Sequence, residues 1–437
     1  MEYKRRTYVQ KLIDRQNNGL IKVITGARRS GKSYLMNELY YRHLIESGVE
    51  ESHIIRFAFD ADEDLDLLDD YMPTQNTILE QGTVNAKKFR AFIKERTQEE
   101  GQYFLLLDEI QILDRFVGTL NSFLKHKNFD VYVTGSNSRL LSSDIATEFK
   151  GRGTIIHVYP LTFKEYIEGF HGHIQAAWRE YIVTGGIPLV AEMNGTEEKM
   201  DYLKLLCQET YLKDIIAHNH VKKKTELADI FDLLASMIGT LVNPHNIGNT
   251  FKSVLKKDLA DQTIDQYIHY FKDAFLIDIA KKYNIKGRKY IGSPYKIYFE
   301  DIGVRNARLN FRQIEETHIM ENIIYNELRY RGFNVDVGEV NINEATERRD
   351  KNGKKIYVHK SLEVDFIVTK GDEKYYIQSA LSLGDQAKSQ QEKKSLYFID
   401  DSFKKIVITK NGLNPMYDDQ GILTIDLFDF LLGEHIL

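Results

Sequence analysis

Eight residues, Gly26-Ala27-Arg28-Arg29-Ser30-Gly31-Lys32-Ser33, fit the spacing G-x-x-x-x-G-K-[ST] at every fixed position. Their chemistry is that of holding a polyphosphate. A triphosphate needs many donors and little steric bulk, so glycines let successive backbone N–H groups close round the β-phosphate at the positive end of a following helix. Lys32 is expected to reach the β- and γ-phosphates, acting in catalysis as well as in binding. Ser33 is expected to place its hydroxyl on Mg²⁺, a small hard cation that takes oxygen ligands and bridges phosphates. Tyr34 follows directly, so residues 26–34 form the expected nucleotide-binding stretch.

A second pair of reactive groups, Asp108-Glu109, ends the apolar run Tyr103-Phe104-Leu105-Leu106-Leu107. Such a run reads as a strand buried on both faces of a parallel sheet, whose C-terminal end projects into the ligand crevice. Asp108 would then hold the Mg²⁺ or a water bound to it. Glu109 would orient and partly deprotonate the water that attacks the γ-phosphate. A third strand, Val131 to Thr134, runs into Gly135-Ser136-Asn137-Ser138. Either Thr134, Ser136 and Asn137 sense the γ-phosphate through the attacking water, Asn137 being the catalytic candidate, or the cluster is a turn made for backbone reasons. Arg152, between Gly151 and Gly153, is either a finger offered to the phosphates of a neighbouring subunit or ordinary surface.

These groups need a scaffold, and the flanking pattern supplies one. Leu20 to Thr25 reads as a buried strand, and Leu35, Met36 and Leu39 recur at helical spacing after it. His53 to Phe59 alternates as a strand does and leads into Asp60 to Asp70, expected to be a solvated acidic loop. With Thr154 to Val158 as the last strand, the expectation is an α/β nucleotide-binding core with a parallel sheet.

The chain of 437 residues is too long for one core and favours about three domains. Hydrophobic residues at 42% and charged residues at 28% fit a soluble globular protein. A net charge of -5 gives no overall pull towards nucleic acid, so such a role would rest on a local basic patch. The one cysteine, Cys207, excludes an internal disulfide and any multi-cysteine metal site, and is expected to be an inert core residue. No apolar run has the length of a membrane span, and the basic start Met1 to Arg6, with no apolar segment after it, is not expected to act as a secretory signal. A cytoplasmic setting without membrane partners is expected.

The nucleotide motifs, together with Thr134-Gly135-Ser136, Gly151-Arg152, Pro160 to Tyr166, Gly185-Gly186-Ile187-Pro188 and Lys296 to Gly303, resemble those of the prokaryotic AAA+ ATPases that carry a nuclease-like C-terminal domain of unknown function. The resemblance spans nearly the whole chain. It implies ATP as the nucleotide, a P-loop ATPase core over 1–160, a helical lid over 161–222, a winged helix-turn-helix over 223–307, and a restriction-endonuclease-like α/β domain over 308–437. From the residues, helices are expected near Leu161 to Tyr166, Met200 to Ile216, Leu227 to Leu241, Ile247 to Leu255 and Gln262 to Phe275, followed by two strands around a basic loop. Lys281, Lys282, Lys286, Arg288 and Lys289 suit DNA phosphates, whereas Asp261, Asp265 and Asp273 on the would-be recognition helix do not. DNA contact and a structural spacer both stay open.

In the last part, a helix beginning at Glu321 precedes Asn334 to Val337, and a charged insertion over 343–355 is expected to be a surface loop. Glu363 to Val368 and Lys374 to Ala380 resemble the nuclease core whose motif is Asp, then Glu-x-Lys on the next strand. Asp365 fits. Gln378 stands at the glutamate position and Ala380 at the lysine, which leaves Glu321 and Asp365 as a thin metal site and nuclease activity disfavoured. Three function classes follow: an ATP-hydrolysing switch coupled to a protein or DNA partner, an ATP-regulated DNA nuclease, and an interaction protein that binds nucleotide without turnover. Homo-oligomers are compatible with the first.

Overall fold

Five strands come together as one parallel sheet: β1 (Ile21–Thr25), β2 (Ile54–Ala58), β3 (Tyr103–Asp108), β4 (Phe129–Thr134) and β5 (Gly153–His157). Their order is β2-β3-β4-β1-β5. The computed structural model describes residues 3–135, 149, 151–349, 353, 355–384, 386–410, 412 and 414–433. Side chains alternate along each strand, so each serves two cores. Val23, Leu105, Leu107, Val131 and Val133 pack on one face with Phe89 and Phe92 of the helix Ala86–Arg96. Ile24, Leu106 and Tyr132 pack on the other with Leu35, Met36 and Leu39.

The register decides where the reactive groups go. Ile24 lies opposite Thr134, and Leu107 lies opposite Val133. Thr25, Asp108 and Thr134 therefore end their strands at one edge. An exception to apolar packing in β1 is Lys22, fully buried and ion-paired with Asp130. Asp130 also accepts the Tyr132 hydroxyl at 2.8 Å, and Tyr132 accepts that of Tyr40 at 2.5 Å.

After β1 the chain enters a continuous helix through Lys32–Tyr34, Leu35–Tyr40 and Tyr41–Glu46, its middle part wound in π turns. The acidic stretch after β2 exposes most of its carboxylates, as expected, but part of it is helical and not loop. Asp62–Asp66 is helical, because the Asp64 carboxylate turns back to accept the Ala58 N–H at 2.7 Å.

Residues from Leu161 to Leu431 share a different core, which Tyr3 also joins. Its helices include Phe163–Glu168, Ile174–Thr184, Thr196–Leu205 and Lys213–His218, then Lys224–Ser236, Pro244–Leu255 and Asp261–Asp273. Its sheet has nine strands: β6 (Leu241–Val242), β7 (Ile277–Asn284), β8 (Lys289–Phe299), β9 (Asn334–Arg349), β10 (Lys355–Lys370), β11 (Glu373–Ala380), β12 (Lys404–Thr409), β13 (Met416–Tyr417) and β14 (Leu423–Asp426). The order is β13-β14-β12-β11-β10-β9-β7-β8-β6. β9, β10 and β11 form an antiparallel meander, and β12 runs parallel to β11. With the helices Glu316–Tyr330 and Gln386–Tyr397 the last part reads α-β-β-β-α-β.

Two features differ from expectation. Of the charged segment, residues 343–349 and 355 lie in the arms of the β9–β10 hairpin, where cross-strand pairs such as Glu344 with Lys360 match opposite charges. The hairpin β7–β8 also joins the C-terminal strands in one sheet, through parallel pairing of Lys282 with Val337 and of Asn284 with Glu339. Cys207 is buried and its thiol donates to the Val304 carbonyl at 3.8 Å. Burial pushes that thiol up to about 12, as befits an unreactive core cysteine.

Candidate active site

The phosphate loop is shaped by positions where only glycine fits. Gly26 has φ +139°, and a Cβ there would stand 2.2 Å from the Val158 carbonyl oxygen. Gly31, at φ +92°, opens the helix that starts with Lys32. Between them the Ser30 hydroxyl is buried without a hydrogen-bond partner among the described residues. The loop thus keeps an unmet polar atom beside a cradle that a side chain would fill, which suits a phosphate group.

Lys32 is buried, and its ammonium donates to the carbonyls of Gly26 at 3.0 Å and Ala27 at 2.9 Å. Burial lowers its pKa to about 8, although Glu109 and Asp108 oppose the shift. Ser33 lies beside Asp108. Burial raises the Asp108 pKa while Thr134 and Ser33 counter it. The Thr134 hydroxyl donates to Asp108 and accepts the Glu109 N–H at 3.3 Å. Glu109 itself takes the left-handed conformation, φ +52°, and its carboxylate accepts from the Gln111 side chain. A non-glycine residue seldom adopts that conformation, and such strain collects at functional sites.

Lys32, Ser33, Asp108 and Glu109 are therefore brought together, with Thr134 as the link between the two acids. Arg28, Arg29, Ser33 and Tyr34 line a cleft of about 500 Å³ with Tyr3, Asp60, Leu161, Pro188 and Leu189. Arg28 is also held by Asp214 at 2.8 Å, and its carbonyl accepts the Tyr211 hydroxyl at 2.9 Å. Ala27 is buried in the loop's turn. Arg152 is exposed at the opposite end of the sheet, where its carbonyl accepts the N–H of Ile21, the first residue of β1. It stands away from its own phosphate loop. Ser136 and Asn137 lie outside the described residues. In the last part, Asp365 accepts the Ser379 N–H at 2.8 Å, while its own N–H donates to Gln378 at 3.4 Å.

Three residues enter the site unannounced by any motif. Asn37 donates to Asp108 at 3.2 Å, and its position four after Ser33 on the same helix was the available signal. Arg5 is buried, ion-paired with Glu165 at 2.9 Å, and donates to the carbonyls of Ser30 and Tyr159. Asp60 lines the cleft, its pKa raised by burial and by Glu109.

A parallel sheet in this order, with a phosphate loop after β1 and carboxylates at the tip of β3, is that of an AAA+ P-loop ATPase. The model of an AAA domain matches residues 18–167, and that of a domain of unknown function matches residues 175–315. An uncharacterized protein of Haemophilus influenzae is 32% identical over 435 residues, covering 98% of each chain. An uncharacterized protein of Methanocaldococcus jannaschii is 26% identical, over 95% of this chain and 86% of that one. Among solved structures, the Aeropyrum pernix ORC2 protein is similar at a TM-score of 0.34 and 14% identity, covering 63% of this chain and 86% of that one. Cdc6p from Pyrobaculum aerophilum is similar at 0.31 and 12% identity, over 74% and 94%. The chain belongs to the AAA+ ATPases, in one family with the Haemophilus protein. Among the described residues, no helix is long and apolar enough to cross a membrane.

Proposed function

We propose that this protein is a Mg²⁺-dependent ATPase working as a switch, in which the nucleotide state of the cleft is passed to a protein or DNA partner. The observation that carries the reading is Asp108 at the tip of β3, bonded by Asn37 from the helix that follows the phosphate loop, with Glu109 the next residue. When bound, Mg²⁺ and the triphosphate supply a γ-phosphorus open to attack by water. The protein supplies the rest. Ser33 and Asp108 are the groups to hold the cation, Asn37 fixes the second Asp108 oxygen, and the Lys32 ammonium turns from two carbonyls to phosphate oxygens. Glu109 accepts the proton of the attacking water, and the left-handed turn together with Gln111 sets the direction of its carboxylate. Thr134 keeps Asp108 and Glu109 in fixed relation. ATP over GTP rests on family membership.

Residues 161–222 act as the lid, 223–307 as a winged helix and 308–437 as a nuclease-like domain used for binding. The lid reading draws support from Pro188 and Leu189 in the cleft wall and from the Arg28–Asp214 pair. Exposed Lys286, Arg288 and Lys289 at the turn of the β7–β8 hairpin suit the phosphates of DNA. Arg152, exposed and far from its own loop, serves only if a second copy brings it to the neighbouring nucleotide, which calls for a homo-oligomer.

Single-turnover hydrolysis tests the chemistry. Glu109→Gln is expected to keep ATP binding and lose roughly 10²–10⁴-fold in rate. Equal rates in the two proteins remove Glu109 as the base.

A further inference from the structure

Three carboxylates and one ammonium meet where β8 passes the C-terminal strands. Lys296 Nζ lies 2.6 Å from Glu363, 2.8 Å from Glu321 and 3.6 Å from Asp365. The acids come from separate elements, Glu321 from the helix Glu316–Tyr330 and the other two from β10. Lys296 is only 1% exposed, Glu321 and Asp365 are buried, and Glu363 reaches partly to the surface. Two of the acids have further donors. Tyr298 donates to Glu321 at 2.6 Å, and the Ser379 N–H donates to Asp365 at 2.8 Å. Gly239 closes the cluster, for a Cβ there would stand 3.1 Å from Glu321 Oε2 and 2.6 Å from His318 Nδ1.

Carboxylates do not gather in a protein interior unless a cation holds them. A cluster of oxygen ligands of this kind suits Mg²⁺ or Mn²⁺. As they stand, the described acids are not arranged round a metal position, because they surround the ammonium. β11 offers no cation of its own here, since it carries Gln378 and Ala380. The charge arrives from the preceding hairpin. Burial alone would discharge Lys296, yet the three acids outweigh it and hold the ammonium well above its usual range. Burial and the nearby Glu321 charge push Asp365 up to about 7, so the cluster is short of positive charge and keeps what it has.

We propose that the Lys296 ammonium is the resident cation of this cluster, standing where a divalent ion would otherwise sit. It fastens the β7–β8 hairpin to the C-terminal strands, and the wild-type cluster takes no Mg²⁺. Removing the ammonium opens a divalent-cation site made of Glu321, Glu363 and Asp365. This assigns to the last part of the chain a role distinct from the nucleotide cleft.

The test is Mn²⁺ titration of the full-length, nucleotide-free protein, followed by the electron paramagnetic resonance of the free ion. Every variant carries Asp108→Asn, so that the cation-holding acid of the nucleotide cleft does not contribute. With Lys296 present, Glu321→Gln is expected to leave the titration unchanged. Lys296→Met is expected to gain a site roughly tenfold or more tighter than any seen with Lys296 present, and Glu321→Gln is expected to remove it again. Binding in the Lys296 protein that Glu321→Gln abolishes overturns the proposal. So does a folded Lys296→Met protein that binds no better. Should that variant not fold, reductive methylation of the wild-type protein decides, read by mass spectrometry. Lys296 is expected to stay unmodified with and without millimolar Mg²⁺, and labelling that appears on adding Mg²⁺ overturns the assignment.

Discussion

Lys32 is bonded to two carbonyls and buried, with its pKa at about 8 instead of the usual value near 10.5. Phosphate charge favours the ammonium, so nucleotide raises that pKa on binding. The sign follows: below pH 8 the lysine is already charged and affinity is flat, whereas above pH 8 binding takes up a proton and weakens by up to about tenfold per pH unit. Calorimetry in two buffers of different ionisation enthalpy measures that uptake. Lys32→Ala is expected to abolish the uptake and to bind ATP far more weakly. Lys22 is a different case, since its charge serves the fold. It is buried against Asp130, and Lys22→Met is expected to cost about 3 kcal/mol by leaving that carboxylate without its cation, measured by urea unfolding. The motif residues could be read from sequence because their partners lie within a few positions or at a strand tip. Arg5 could not, because Glu165 lies 160 residues away, and Asn37 offered only its helical spacing from Ser33, since Asp108 lies 71 residues on.

Two motifs far apart in the chain meet as elements of one joint. The turn Gly185-Gly186-Ile187-Pro188 and the start of the helix Ile302–Arg308 meet at Asp301, whose carboxylate accepts the N–H of Gly186 at 2.7 Å and of Val304 at 2.9 Å. Glycine is needed on both sides. A Cβ on Gly185 would stand 2.3 Å from Asp301 Oδ1, and one on Gly303 would stand 2.1 Å from the Thr184 carbonyl oxygen. Since Pro188 and Leu189 line the nucleotide cleft, this joint ties the cleft wall to the helix that follows β8. Gly303→Ala is expected to cost about 3 kcal/mol or more, seen as a lower melting temperature. Asp301→Ala removes a helix cap and strands the Gly186 N–H, for about 2 kcal/mol. The strand β3 was legible because five apolar residues in a row have few alternatives, and β1 and β4 because short apolar runs stand just before small polar turns. The arms of the β9–β10 hairpin were not, because their charged residues pair across strands and carry no apolar alternation.

At the scale of the molecule, the pairing of β7 with β9 decides what can be separated. A cut before residue 308 removes β7 and β8, leaves the inner edge of β9 without its neighbour, and takes Lys296 from Glu321, Glu363 and Asp365. It also divides the core that includes Ile297, Phe299, Ile323 and Phe366. Sequence alone could not warn of this, since parallel pairing between distant strands leaves no local pattern and the boundary near 308 falls at a helix end. An exposed edge invites association, and buried acids without a cation cost about 3–5 kcal/mol, comparable with the whole stability of a small domain. Residues 308–437 alone are therefore expected to aggregate or to melt without a cooperative transition. The intact chain is expected to show one transition for residues 161–433 together, and lysine-specific labelling during heating should expose Lys296 in the same step. A sharp, reversible melt of the 308–437 fragment by circular dichroism would mean that the hairpin leans on a self-sufficient domain instead of completing it.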